Sequence, residues 1–288
     1  MRKALFVVLA GGAVAACSVP VTPEDVFVAD PDYRRTDFQT LNLLNEDEMP
    51  SGSALRHEWL ASEIGPLGLS WAQQLEGAHA DRLIVTCMGN TTDRQSDGVR
   101  YLGAVLPFGD AVIFDYPGYG DSAGPPTLKN FELALSAVAD RVKTEPYDRV
   151  MVWGHSMGGF FCSRLFKHLG DELEGVVLEA TFSDTSAISR FGLPWYLKPF
   201  IRVKLDERLL RYDSVAALDG FDGPITVLAG EADRELPIAA TRDLASKLEA
   251  RGHDVLSLEF SKAGHYDIAE QPDYVERTGA AINRATAE

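Results

Sequence analysis

The stretch Arg149-Val150-Met151-Val152-Trp153-Gly154-His155-Ser156-Met157-Gly158-Gly159-Phe160-Phe161-Cys162 decides the fold. An apolar, strand-like run enters Gly-x-Ser-x-Gly, and a helix-compatible apolar segment leaves it. A serine flanked this way implies a turn too sharp for ordinary backbone geometry. A Cβ at Gly154 or Gly158 would collide with the neighbouring strand or helix. The serine hydroxyl then stands clear of the sheet, at the positive N-terminus of the following helix.

Two groups that could activate such a hydroxyl follow in the chain. Ile225-Thr226-Val227-Leu228-Ala229 ends in Gly230-Glu231-Ala232-Asp233 and then Leu236-Pro237, a late strand delivering a carboxylate at its C-terminal end. Val255-Leu256-Ser257-Leu258-Glu259-Phe260 leads into Gly264-His265-Tyr266-Asp267. A free serine hydroxyl is too weakly acidic to attack a carbonyl, so an imidazole must take its proton. A buried carboxylate orients that imidazole and stabilises its charged form.

The order Ser, Asp, His resembles that of the α/β-hydrolase superfamily, and of its small-cap serine hydrolases in particular. That group includes lysophospholipase-like, thioesterase-like and serine-aminopeptidase-like members. The similarity runs from about residue 80 to the C-terminus. A second segment carries it too. Phe114-Asp115-Tyr116-Pro117-Gly118-Tyr119-Gly120-Asp121-Ser122 looks like the Asp-x-x-Gly-x-Gly-x-Ser stretch after the family's fourth strand. The resemblance implies that Ser156 is the nucleophile, Asp233 the acid and His265 the base. It also implies an oxyanion hole made of two backbone N–H groups, those of Met157 and Asn90. The family has His-Gly-x before the second donor; here Met88-Gly89-Asn90 stands in that place. The donor is main chain, so Met88 alters the loop without removing it.

A pass along the chain agrees with an α/β fold, a mostly parallel doubly wound sheet. Residues 55–61 and 67–75 read as early antiparallel strands. Strands at 82–87, 110–115, 149–153, 175–179, 224–229 and 254–260 alternate with helices at 94–107, 127–143, 157–169, 238–251 and 271–286. This alternation argues for a sheet covered by helices on both faces, with the active site at the C-terminal strand ends. The break lies at about 181–223, too short for a large lid domain and read as a small cap. Phe191, Trp195, Tyr196, Leu197, Phe200 and Ile201 crowd its first half. Phe191, Trp195, Tyr196 and Phe200 either line an acyl pocket or only pack the cap onto the sheet. Arg202 to Arg211 reads as a solvated helix face.

The N-terminus carries a separate signal. Met1-Arg2-Lys3 is basic, and Ala4 to Ala16 are thirteen apolar or small residues, the length of a signal-peptide core and too short to span a membrane as a helix. Val14-Ala15-Ala16-Cys17 resembles a bacterial lipoprotein box. The implied organisation is a signal peptide at 1–16, a lipidated Cys17 with a tether to residue 35, and a hydrolase domain over 36–288. Ser18 after the cysteine favours sorting to the outer membrane where there are two. Loss of Arg2 and Lys3 moves the formal charge from −16 to −18. Such acidity argues against nucleic acid and leaves the lipid to hold the protein to its membrane. The three cysteines do not suggest a disulfide framework. A Cys87–Cys162 bridge is compatible with an oxidising compartment, but neither spacing nor sequence shows it.

Other features carry less. Glu231 and Asp184 are rival acids, and His155, the variable position of the motif, is read as structural. His57, His79, His168 and His253 form no metal-ligand spacing. Gly118 to Gly124 has one residue too many for a dinucleotide loop. No metal and no cofactor are implied. The expected activity is acyl-enzyme hydrolysis of an ester or thioester. A peptidase on the same triad, or a silent binding lipoprotein of the envelope, remains open.

Overall fold

The computed structural model of the protein describes residues 17–27, 41, 43–75, 81–191, 196–198 and 200–284. The leader 1–16, residues 28–35 of the expected tether, and Trp195 lie outside these. In chain order the strands are β1 (Cys17–Val21), β2 (Ser53–Leu60), β3 (Leu67–Gln74), β4 (Arg82–Cys87), β5 (Asp110–Phe114), β6 (Arg149–His155), β7 (Leu173–Glu179), β8 (Ile201–Leu205), β9 (Ile225–Gly230) and β10 (Val255–Phe260). The helices are α1 (Pro23–Val26), α2 (Arg94–Val105), α3 (Leu128–Val142), α4 (Gly158–Leu169), α5 (Ser186–Phe191), α6 (Ser214–Ala217), α7 (Ile238–Ala250) and α8 (Tyr274–Ile282).

Eight strands form the main sheet in the order β10-β9-β7-β6-β4-β5-β3-β2. Pairing is parallel from β10 to β5, whereas β3 runs antiparallel to β5 and β2 antiparallel to β3. Every residue of β4, β5 and β9 is buried, because helices cover both faces of a parallel sheet and leave no polar side. Alternate residues of each strand feed two cores. Val85, Val112, Val152 and Leu178 pack with Phe131 of α3 and Phe161 of α4. Ile84, Ile113, Trp153 and Val177 pack with Leu102 of α2 and Tyr274 of α8.

Register sets the site. Cys87 of β4 lies opposite Gly154 of β6, and His155 opposite Glu179 of β7. The loops that leave β4, β6 and β7 therefore start side by side at one rim.

Three expectations change. Residues 17–27 are not a leash: β1 pairs in parallel with β8, and Phe27, 5% exposed, packs on Phe131 at 4.8 Å between ring centroids. The Pro and Asp content of this segment drew attention away from Val21, Val26 and Phe27, which join the core. Arg202–Arg211 is not a helix face either. Ile201-Arg202-Val203-Lys204-Leu205 alternates apolar and charged residues, a period of two, and forms β8 with the charged side chains outward. Finally, Cys87 and Cys162 are bonded, with Cα atoms 5.8 Å apart. Only the fold brings the end of β4 against α4, which is why spacing along the chain gave no sign of the bond.

Candidate active site

Ser156 sits in the left-handed region with φ of +53°, a conformation that costs a non-glycine residue energy and needs bracing from its surroundings. The bracing comes from the end of β7 and the residues just after it. The Ser156 N–H donates to the Glu179 carbonyl at 2.9 Å, and the Thr181 hydroxyl donates to the Ser156 carbonyl at 2.6 Å. The glycines show why the motif has the form it does. A Cβ on Gly158 would fall on the Cys87 carbonyl, and one on Gly154 would lie 2.6 Å from the Gly158 carbonyl oxygen. Gly159, outside the motif, is equally constrained by the Thr181 side chain.

Asp233 and His265 come together from separate loops. A Cβ on Gly230 would meet the Gly264 carbonyl oxygen at 2.5 Å, so glycine at the end of β9 lets the histidine loop approach. The Ala232 N–H then donates to the Ala263 carbonyl at 2.9 Å, tying the two loops. One oxygen of Asp233 accepts the N–H groups of Glu235 and Leu236, each at 2.8 Å, and the other faces His265 Nδ1 at 2.7 Å. Both side chains are almost wholly buried, at 3% and 5% exposure. The carboxylate is thus fixed by main chain on one side and fixes the ring on the other. The rival acids lie elsewhere in bonding terms. Asp184 pairs with Lys247 at 2.9 Å and caps the Ala187 N–H, while Glu231 is exposed.

Met157 is the residue at the cap of α4, where N–H groups have no carbonyl partner within the helix. The loop Met88-Gly89-Asn90 lies against the serine: a Cβ on Gly89 would stand 3.5 Å from that of Ser156. Met88 is fully buried, and its carbonyl accepts the Tyr116 hydroxyl at 2.9 Å. The Asn90 side chain fixes its own residue in place. Its amide donates to the Val26 carbonyl at 2.6 Å, and its oxygen accepts the Tyr119 hydroxyl at 2.8 Å. Neither anchor is marked in the sequence, because Val26 lies in the Pro- and Asp-containing segment expected as a tether and Tyr119 lies within a glycine-containing one.

His155 is buried, with Nδ1 2.9 Å from the Tyr101 hydroxyl and Nε2 2.8 Å from the His265 carbonyl. Burial, with His265 and Arg100 nearby, pulls its pKa down to about 3, so the ring is neutral. Glu179, also buried, is pushed up from the ordinary carboxylate range, and accepts the Trp153 Nε1–H at 2.8 Å.

Among the described residues, the cap aromatics Phe191, Tyr196 and Phe200 do not enclose a slot. Phe191 is half-buried at the end of α5, whereas Tyr196 and Phe200 are 57% and 48% exposed. A cavity of about 660 Å³ lies between residues 60–63 and α3, and one of about 310 Å³ lies beside Asp184 and Lys247. Among the described residues, Ser156, Asp233, His265, Phe191, Tyr196 and Phe200 line neither. Among the described residues, no group of three His, Cys, Asp or Glu side chains could hold a metal ion.

A family model described as alpha/beta hydrolase fold matches residues 110–210. The alpha/beta hydrolase domain-containing protein WAV2 of Arabidopsis thaliana is 28% identical over 170 residues, covering 55% of this chain and 54% of that protein. The lysophosphatidylserine lipase ABHD12 of Macaca fascicularis is 25% identical over 239 residues, covering 76% of this chain and 58% of its own. The chain thus spans a little over half the length of these two relatives. Among solved structures, the esterase Pf2001 of Pyrococcus furiosus superposes with a TM-score of 0.63 at 17% identity, over 90% of this chain and 97% of that one. The chain has the α/β-hydrolase fold.

Proposed function

We propose that this α/β-hydrolase cleaves carboxylic esters through an acyl-enzyme on Ser156. Ser156 Oγ attacks the ester carbonyl while His265 takes its proton, and Asp233 holds the imidazole and stabilises its charged form. The N–H groups of Met157 and Asn90 receive the negative charge that develops on the carbonyl oxygen. The tetrahedral intermediate collapses, the alcohol leaves with the proton from His265, and water repeats the sequence to release the acid. The observation that carries this reading is the buried Asp233–His265 pair at 2.7 Å, on the same rim as a serine in left-handed geometry.

For the substrate we favour an ester of a lysophospholipid-like lipid over a small soluble ester. Support comes from the relative named as a lysophosphatidylserine lipase and from the exposed rings of Tyr196 and Phe200, which suit a lipid-facing edge better than a closed slot. The lipoprotein reading of Cys17 fits the same picture, since Cys17 opens β1 and β1 pairs with β8 of the cap. An anchor there would bring the cap close to a bilayer. The Cys87–Cys162 bond is the kind that persists in oxidising compartments such as the periplasm, and so supports an envelope location.

The test is hydrolysis of p-nitrophenyl esters from acetate to palmitate, and of lysophosphatidylserine, with Ser156→Ala as the blank. Turnover that disappears in the variant is expected. Turnover that survives would end the serine mechanism, and activity on peptide substrates alone would move the reading to a peptidase. For the anchor, radiolabelled palmitate should enter the wild-type chain in cells and fail to enter Cys17→Ser.

A further inference from the structure

The residue before the serine does more than fill space. The His265 carbonyl can only accept, so His155 must carry its proton on Nε2. Because the ring is neutral, Nδ1 holds a lone pair and accepts the Tyr101 hydroxyl proton. The Tyr101 oxygen in turn accepts the Gly89 N–H at 3.2 Å. The chain of donors therefore has one direction: Gly89 N–H to Tyr101, Tyr101 O–H to His155, His155 N–H to the His265 carbonyl. Tyr101, His155 and His265 are all buried, at 7%, 2% and 7% exposure, so water does not compete for these bonds.

The two ends of this chain lie in the two loops that the proposed chemistry uses. Gly89 immediately precedes Asn90 in the oxyanion loop, and His265 is the base. The base loop is also packed sideways. His155 lies 4.9 Å from the His265 ring and 5.4 Å from the Tyr266 ring, and Arg100 sits 4.9 Å from the rings of both Tyr101 and Tyr266.

We infer that His155 and Tyr101 are positioning residues that lock the oxyanion loop to the base loop through a single directed hydrogen-bond relay. This rests on the serine-hydrolase reading for its consequence in catalysis, but the coupling of the two loops stands apart from it. Displacing a donor by an ångström can cost roughly a hundredfold in rate, so a relay that holds both loops acts on kcat rather than on binding.

The experiment compares wild type with Tyr101→Phe, His155→Gln, His155→Leu and the double variant Tyr101→Phe/His155→Leu. Esterase kinetics, thermal unfolding and amide exchange are read on each full-length protein. Tyr101→Phe and His155→Leu should each lower kcat roughly ten- to a hundredfold with KM within about twofold. The double variant should be no slower than the worse single, and His155→Gln, which keeps a donor and an acceptor, should recover part of the loss. Amide exchange should quicken together at residues 88–91 and 264–267 in both single variants. A lowered melting temperature with unchanged kcat, or faster exchange at one loop alone, would overturn the relay. Wild-type protein without turnover would refute the hydrolase reading instead, and the exchange data would still decide the coupling. Tyr101→Phe removes one oxygen and keeps the packing, so it guards against failure of the leucine variant to fold.

Discussion

Single residues bear the proposed reaction, and their substitutions separate chemistry from folding. Ser156→Ala removes one oxygen from a half-buried residue held through its main-chain bonds to Glu179 and Thr181, so turnover should fall to the rate without enzyme with the unfolding curve unchanged. Asp233→Asn should be slower by roughly 10⁴-fold, because the amide cannot hold His265 in the required tautomer as the carboxylate does. Kinetics at wild-type level would hand the role to another acid, although Asp184 is engaged by Lys247. Gly158→Ala tests the elbow itself. Its methyl would fall on the Cys87 carbonyl, so either the α4 start or the oxyanion loop must shift. Overpacking of this kind costs about 1–3 kcal/mol, and a urea midpoint lower by that amount, together with lost activity, is expected. The types and order of these residues were legible in the sequence, because the chemistry demands them. Their anchors were not: Glu179, Thr181 and Tyr119 act through carbonyls and hydroxyls that only the packed fold brings within reach.

Elements were legible where hydrophobic pattern and burial coincide. The buried runs of β4, β6 and β9 could hardly be anything other than central strands, and their ends agree with the sequence reading to within about two residues. Elements at the periphery were harder. β8 has five residues and β1 has five, and each forms only by pairing with the other across some 180 intervening positions. No local pattern marks such a pair. The same holds for the bond between β4 and α4, which closes a loop of 75 residues. Loop-closure entropy for that length predicts about 4.5 kcal/mol, with typical measured values nearer 2–4. The double substitution Cys87→Ala/Cys162→Ala should therefore lower stability by about 2–4 kcal/mol in urea unfolding. It should also loosen the strand that leads into Met88-Gly89-Asn90. A reductant should reproduce the loss in wild type and leave the double variant unaffected. Equal stability of the two proteins would show that packing of the fully buried Cys87 and Cys162 side chains, not the bond, holds β4 against α4.

Across the whole molecule, two buried groups oppose one another in how stability follows pH. His155 is held near 3 when folded, and an unfolded histidine titrates near 6.5, so between these values the unfolded chain binds the extra proton. Its contribution is complete above pH 6.5 and is lost as pH falls toward 3. Burial pushes Asp115 up to about 7 from the ordinary 3.8, against the pull of the neighbouring Arg94 guanidinium. Its folded form binds the extra proton, so its contribution is complete below about 3.8 and is lost as pH rises to 7. Each term has a limiting slope of about 1.4 kcal/mol per pH unit, and the signs cancel between about 4 and 6.5. Glu179, also raised by burial, adds to the Asp115 side, so His155→Gln should uncover a slope that gains stability as pH drops from 7 to 4. The groups that bear on His155 are Tyr101, His265, Arg100 and Asp233, all retained in the variant, so the difference between the two proteins isolates His155. Urea unfolding at pH 8, 6 and 4.5 measures it. The stability of wild type relative to the variant should be constant between pH 7 and 8, then shrink by about 1 kcal/mol or more per unit below 6.5. Parallel profiles would mean that His155 accepts a proton in the folded state. In that case Nδ1 would no longer receive the Tyr101 hydroxyl, and the directed relay between the two loops would be lost with it.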